Sequence, residues 1–217
     1  MQSKALRWRV KTGKVKKSMT KLAGKVVLIT GAGKGSGRAL ALTCAARGAI
    51  VAANDISPFN VEQVVDEIQA KGRRAKAFVE DVAKKMGGQS LIKQVEDEFG
   101  RIDVLIHHAS VCPRVSLLDM DEWDWHRTLD VNLTGAFLMT QSAGRVMRSQ
   151  GSGVIVNLVT LNQDSAENEA AFVASMQGLA GLTSQAAREL SPYGIRVHLA
   201  ETGADVVEHV LSFLEDE

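Results

Sequence analysis

The chain has 217 residues, 45% of them hydrophobic and 24% charged, and carries a formal net charge of +1. A chain of that size suits one domain burying roughly 70% of its unfolded surface, and the composition excludes low-complexity or fibrous sequence. No apolar run reaches the ~18 residues that span a bilayer, and Cys44 and Cys112 lack metal-ligand spacing, so the expectation is no membrane span, no metal, and reduced thiols in the cytoplasm.

The charge is uneven. Residues 1–20 hold seven basic groups and no acid, which leaves nineteen Lys/Arg against twenty-five Asp/Glu in the remainder, a net of −6. Such an arm can touch nucleic acid, an anionic membrane or an acidic partner, and it has the acid-poor look of a transit peptide. The reading adopted is a disordered basic extension over 1–20, without a nucleic-acid role, ahead of a single domain over 21–217.

From Gly24 onward, short apolar runs alternate with amphipathic segments. Val26–Thr30 is a β-branched strand, followed by a glycine turn and a helix through Ala39–Arg47. Ala49–Asn54 reads as a second strand and Pro58–Lys71 as a helix with Pro in its first turn. Ala75–Val79 is a third strand, Leu91–Phe99 has a helical face, and Ile102–His107 is a fourth strand. The spacing predicts one long helix over Asp121–Met147, a fifth strand at Val154–Leu158, a second long helix over Ala170–Leu190 and a sixth strand at Ile195–Leu199. Strands apolar throughout and separated by helices argue for a parallel sheet covered on both faces. Right-handed crossovers then give a doubly wound α/β sandwich of the Rossmann type, three layers deep with about six strands.

The first strand runs straight into Thr30-Gly31-Ala32-Gly33-Lys34-Gly35-Ser36-Gly37 and then a helix. Gly31 permits a tight turn, Gly35 lets the backbone approach a pyrophosphate, Gly37 lets the helix pack closely, and the helix start at Ser36 offers unpaired N–H groups to phosphate. Asp55, at the end of the second strand, can accept both hydroxyls of an adenosine ribose and repel a 2′-phosphate, which favours NAD(H) over NADP(H). Lys34 pulls the other way, and Asp55 can equally be a turn residue before Ser57-Pro58. Asp81 and Val82, after the third strand, can bond and pack on an adenine; Asp81 can equally cap a helix.

With these residues in view, the chain resembles the short-chain dehydrogenase/reductase family over roughly residues 21–217. Phe99-Gly100-Arg101-Ile102-Asp103-Val104-Leu105-Ile106 is similar to the approach to that family's fourth strand. Leu129-Asp130-Val131-Asn132-Leu133-Thr134-Gly135 resembles its central helix motif, Gly153-Val154-Ile155-Val156-Asn157 its fifth strand, and Tyr193-Gly194-Ile195-Arg196-Val197 its sixth.

The resemblance implies a catalytic set of Asn, Ser, Tyr and Lys. In that family the Tyr is the general acid or base, with its pKa lowered by the Lys, which also bonds the nicotinamide ribose. The Ser orients a carbonyl, and the Asn holds a water in the proton relay. Asn132 matches the Asn, with a structural hydrogen bond at a helix kink as the alternative. Thr160 falls at the Ser position and keeps a hydroxyl. The Tyr and Lys positions fall on Phe172 and Met176, and no realignment repairs this, because no Lys follows Lys93 and the single Tyr is Tyr193.

Further departures from the family accompany that loss. The family's Asn-Asn-Ala-Gly reads His107-His108-Ala109-Ser110, with His108 and Ala109 placed beside the cofactor, and its Pro-Gly after the sixth strand reads Thr202-Gly203. The covering loop that normally follows, and the last strand, are expected to be missing. The resulting expectation is a catalytically impaired relative, a pseudoenzyme that binds dinucleotide weakly and has a cofactor-binding, scaffolding or dimerising role. The two long helices of the second half would form the homo-oligomer contact, as the family's do. The alternative is an active NAD(P)-dependent oxidoreductase on an unknown carbonyl or alcohol.

Overall fold

Runs of β-branched and apolar residues form the strands β1 (Val26–Thr30), β2 (Ile50–Asp55), β3 (Ala75–Val79), β4 (Val104–His107), β5 (Gly153–Val159) and β6 (Ile195–Glu201). In the computed structural model, which describes residues 21–160 and 167–215, these six pair in parallel in the order β3-β2-β1-β4-β5-β6. The expected doubly wound α/β sandwich is what forms. The basic arm lies outside the described residues.

Helices α1 (Gly35–Ala46), α2 (Pro58–Ala70) and α7 (Val206–Glu215) cover one face. There Leu40, Val61, Val64, Ile68 and Val210 meet Val27, Ile29, Val51, Ile106 and Val156 of the sheet. Helices α3 (Lys85–Phe99), α5 (Gly135–Gln150) and α6 (Ala170–Leu190) cover the other. Leu91, Val95, Met139 and Met147 meet Leu28, Leu105 and Ile155 there. Both strand faces are apolar because both are covered, so the strands show no polar alternation.

Several helix boundaries differ from the sequence reading, each for a visible reason. Helix α1 starts at Gly35 rather than Ala39, with Arg38 N donating to Lys34 O. Helix α3 starts at Lys85 rather than Leu91, through a glycine pair that reads as a breaker. A Cβ on Gly87 would lie 2.3 Å from Asp81 O, so glycine is what lets this helix start pack on the turn. Strand β4 starts at Val104 because Gln150 takes both the N–H and the C=O of Ile102.

The single long helix expected over Asp121–Met147 is instead α4 (Glu122–Leu129), a π-helical turn (Asp130–Thr134) and α5. Within the widened turn the Asn132 side chain bonds Val111 of a neighbouring loop, and such turns concentrate at functional sites. Asp121 caps α4 through Asp124 N at 2.7 Å. The C-terminal strand ends converge where the chain order reverses between β1 and β4, the place where open α/β sheets hold ligands.

Candidate functional site

At that switch point a cleft of about 240 Å³ opens, lined by Gly31, Lys34, Asp55, Asp81, Val82, His108 and Ala109 among others. Seven of the ten residues singled out for dinucleotide contact therefore line one cleft. The other three, Gly35, Ser36 and Gly37, form the adjoining start of α1. The two later glycines do different work. A Cβ on Gly37 would sit 2.1 Å from Gly31 O and 2.8 Å from the His108 ring, so Gly37 is required by packing. Gly35 has φ +56 and nothing within 4 Å of its would-be Cβ, so its backbone faces open space where a phosphate can approach.

Side chains brace this turn from behind. Thr30 Oγ1 accepts the N–H groups of His108 (3.2 Å) and Ala109 (3.3 Å) and bonds His107 Nδ1 (3.0 Å). His108 Nδ1 bonds Gly31 O at 3.2 Å, so that nitrogen carries the hydrogen. His107 is fully buried, and burial together with the neighbouring His108 pushes its pKa down to about 3. Burial also lowers the pKa of His108, which the Gly31 carbonyl and Asp55 partly offset. Both imidazoles are neutral at pH 7.

Asp55 is 9% exposed, and each of its oxygens already accepts one backbone N–H, from Gly33 at 2.9 Å and Ser57 at 3.0 Å. A carboxylate oxygen has two acceptor positions, so Asp55 serves the turn and still has capacity for hydroxyl donors. Asn54, beside it, holds β3 through Phe78 O and Glu80 O. Asp81 does not cap α3, whose N-cap is Lys84; its Oδ1 accepts Ala83 N at 3.0 Å and shapes the turn. Lys34 is exposed, and both it and Arg127 of α4 line the cleft.

The second half of the site is built differently. Asn132, 1% exposed, accepts Val111 N at 2.8 Å and donates to Val111 O (2.9 Å) and Ser175 Oγ (3.0 Å). Both amide hydrogens are spent on these bonds, so the geometry favours the structural alternative for this residue. Ser175 in turn donates to Phe172 O at 2.7 Å. Phe172 and Met176 sit one turn apart on α6; Phe172 is half-buried and Met176 only 2% exposed, and they join Ala136, Val159 and Leu179 in a small apolar cluster.

Thr160 follows β5 directly, and its hydroxyl pairs with that of Thr202 at 2.6 Å. Sequence reasoning took Thr202 only as a departure from a Pro-Gly pattern and had no signal for this pair. It also missed Ser175 and Val111 as partners of Asn132. Only Thr202–Asp205 separate β6 from α7, so no covering element lies between them. Among the described residues no cluster of His, Cys, Asp or Glu is placed to hold a metal, and no helix is long and apolar enough to cross a membrane.

The family described as short chain dehydrogenase matches residues 25–211. An uncharacterized oxidoreductase of Thermotoga maritima is 36% identical over 190 residues, covering 87% of this chain and 75% of that protein. A 3-oxoacyl-(acyl-carrier-protein) reductase FabG of Staphylococcus epidermidis is 37% identical over 195 residues, covering 89% of this chain and 80% of the relative. Among solved structures, a metagenomic short-chain oxidoreductase in complex with NADP superposes with a TM-score of 0.86 at 28% identity, covering 91% of this chain and 94% of the other. An NAD+-bound xylitol dehydrogenase gives 0.80 at 30% identity, covering 91% and 80%.

Proposed function

This chain belongs to the short-chain dehydrogenase/reductase family of NAD(P)-binding oxidoreductases, and from that premise we propose that it binds a nicotinamide dinucleotide weakly and is impaired in the family's chemistry. The observation that carries the impairment is the apolar pair Phe172 and Met176 on α6, at the positions where the family's acid and its lysine belong. The pyrophosphate would lie on the open backbone at Gly35 and Ser36, where N–H groups at a helix start favour an anion. Asp55 would take the adenosine ribose hydroxyls and disfavour a 2′-phosphate, so NAD(H) is preferred. Asp81 and Val82 would flank the adenine, and His108 and Ala109 the ribose beyond it.

When bound, the dinucleotide supplies or accepts the hydride. This chain's own residues would orient a carbonyl through the Thr160–Thr202 hydroxyl pair, which shares one hydrogen internally and has one left to donate. Phe172 can move no proton. General acid catalysis, worth about 10²–10⁴ in rate, is missing unless water supplies it. Met176 gives the ribose no hydrogen bond, so affinity falls as well. The absence of a cover between β6 and α7 leaves the site wet.

A second reading, an active oxidoreductase on a carbonyl or alcohol, is favoured by the relatives, which are named as oxidoreductases and reductases. Titration calorimetry with NADH and NADPH, followed by turnover on a carbonyl panel, separates the two. Binding without turnover supports the impaired reading, and turnover at a family-like rate overturns it. Absence of binding at millimolar cofactor would end both. We further propose that the groove between α5 and α6, about 450 Å³ and lined by Phe137, Leu182 and Leu190, is the contact of a homodimer. Sedimentation of Phe137→Glu against the unaltered chain tests that.

A further inference from the structure

Thr30, His107 and Asn157 occupy one row across β1, β4 and β5, paired at the same register. They point to the α5–α6 side, as Leu28, Leu105 and Ile155 two residues earlier do. Two of them carry polar atoms that are fully buried and have no partner among the described residues, His107 Nε2 and Asn157 Oδ1. Leaving two buried polar atoms unpaired on neighbouring strands is costly, because each has lost its hydrogen bonds to water without replacement.

The surrounding bonds fix what each orphan is. Thr30 Oγ1 accepts two backbone N–H groups, so its own hydrogen goes to His107 Nδ1. His107 is neutral in this environment, and with Nδ1 accepting, the ring hydrogen must sit on Nε2. On the other strand, Thr183 Oγ1 spends its hydrogen on Leu179 O at 2.7 Å, so it must accept from Asn157 Nδ2 at 3.0 Å. That orientation leaves Asn157 presenting Oδ1, an acceptor. One orphan is a donor, the other an acceptor, on neighbouring strands and on the same face.

We propose that one buried water joins His107 Nε2–H to Asn157 Oδ1 and completes a hydrogen-bonded chain from Thr30 to helix α6. The water accepts from the imidazole and donates to the amide oxygen, meeting the minimum of two polar partners that a buried water needs. The chain then reads Thr30, His107, water, Asn157, Thr183 and Leu179 O. It begins at the hydroxyl that holds the amides of His108 and Ala109 behind the cleft, and it ends on the helix that carries Phe172 and Met176. His107 is thereby a positioning residue: it aims the Thr30 hydroxyl so that its oxygen faces those two amides.

Urea denaturation of His107→Leu, Asn157→Leu and the double variant tests the bridge. Either single change strands the other group, so the unfolding constants should be non-additive by at least about fivefold. Additive effects overturn the bridge. Nitrogen-15 spectra of the unaltered protein give a second readout that survives if a variant fails to fold. They should place the His107 hydrogen on Nε2, and a hydrogen on Nδ1 overturns the assignment. A third arm rests on the dinucleotide reading: His107→Leu should weaken NADH binding about tenfold by releasing the 108–109 amides. If the unaltered chain binds no NADH, that reading fails, and the denaturation cycle still decides the bridge.

Discussion

The two walls of the candidate site differ in kind. The β1–β4 wall is polar and braced by backbone bonds: Thr30 holds two amides, Asp55 holds two more, and Gly35 presents bare backbone to an open cleft. The β5–α6 wall is apolar and filled, with Met176 buried against Val159 and Leu179 and Asn132 spent on Val111 and Ser175. The difference teaches that binding and chemistry are separable in this fold. A dinucleotide cradle depends mostly on backbone geometry, which the fold preserves, whereas proton transfer depends on one or two side chains, which substitution can remove without disturbing the sheet.

The largest effect should come from rebuilding the filled wall. Phe172→Tyr with Met176→Lys is expected to raise single-turnover NADH oxidation on a carbonyl panel by about 10²–10⁴, the usual worth of a positioned acid. Met176→Lys alone should lower the melting temperature, because it puts an ammonium where the side chain is 2% exposed. Phe172→Tyr alone should be nearly neutral, since the ring is only half-buried. An unchanged rate in the double variant would place the deficit in the missing cover or in Asn132 instead of in these two positions.

Next in size is Asn132. Replacing it by Ala removes three hydrogen bonds and strands Val111 N and O, for a loss of about 2–4 kcal/mol in urea denaturation. A loss below about 0.5 kcal/mol would mean that the π-helical turn is held by something else. In that case Asn132 would be free for a role in the site, and the two walls would be more alike than the geometry indicates.

Which parts of this were readable from the sequence follows from the same division. The six strands and the glycine turn were legible because they rest on local periodicity and on backbone freedom that only glycine supplies; their order in the sheet rests on tertiary pairing. That Phe172 and Met176 lie one turn apart on one helix was legible from helical spacing; their standing at the positions of the family's acid and lysine belongs to the proposed reading. Partnerships across the sheet were not legible. Nothing in the sequence shows that Asn132 meets Ser175, forty-three positions away, or that Thr160 meets Thr202. A kink at Asn132 was legible, since four of the five residues of Asp130–Thr134 are poor helix formers, but its π-helical form was not.

Acid should expose the cradle wall as the pH-sensitive one. In the unfolded chain His107 titrates near 6.5; folded, burial holds it at about 3. Between those values the unfolded state binds the extra proton, so stability rises with pH and is fully present above about 6.5. As pH falls below that, the His107 contribution is lost at about 1.4 kcal/mol per pH unit until the folded pKa is reached. Burial lowers His108 as well, so its contribution has the same sign. Urea midpoints measured from pH 7 to pH 4 should fall, and fall less steeply in His107→Asn. Equal slopes in the two proteins would mean that the ring is not neutral when folded.

The smallest expected effect is the most direct test of what the cradle prefers. Asp55→Asn removes a negative charge while keeping size, and one of its two backbone acceptors becomes a donor facing Gly33 or Ser57. Some general weakening of the turn therefore accompanies the change, and absolute affinities are a poor readout. The ratio of NADPH to NADH affinity is insensitive to that shared loss. It should move toward NADPH by about tenfold, the equivalent of 1.4 kcal/mol, because a 2′-phosphate no longer meets a carboxylate and Lys34 lines the same cleft. If the ratio stays put while both affinities drop together, Asp55 acts through Gly33 and Ser57 alone and does not discriminate between the two dinucleotides.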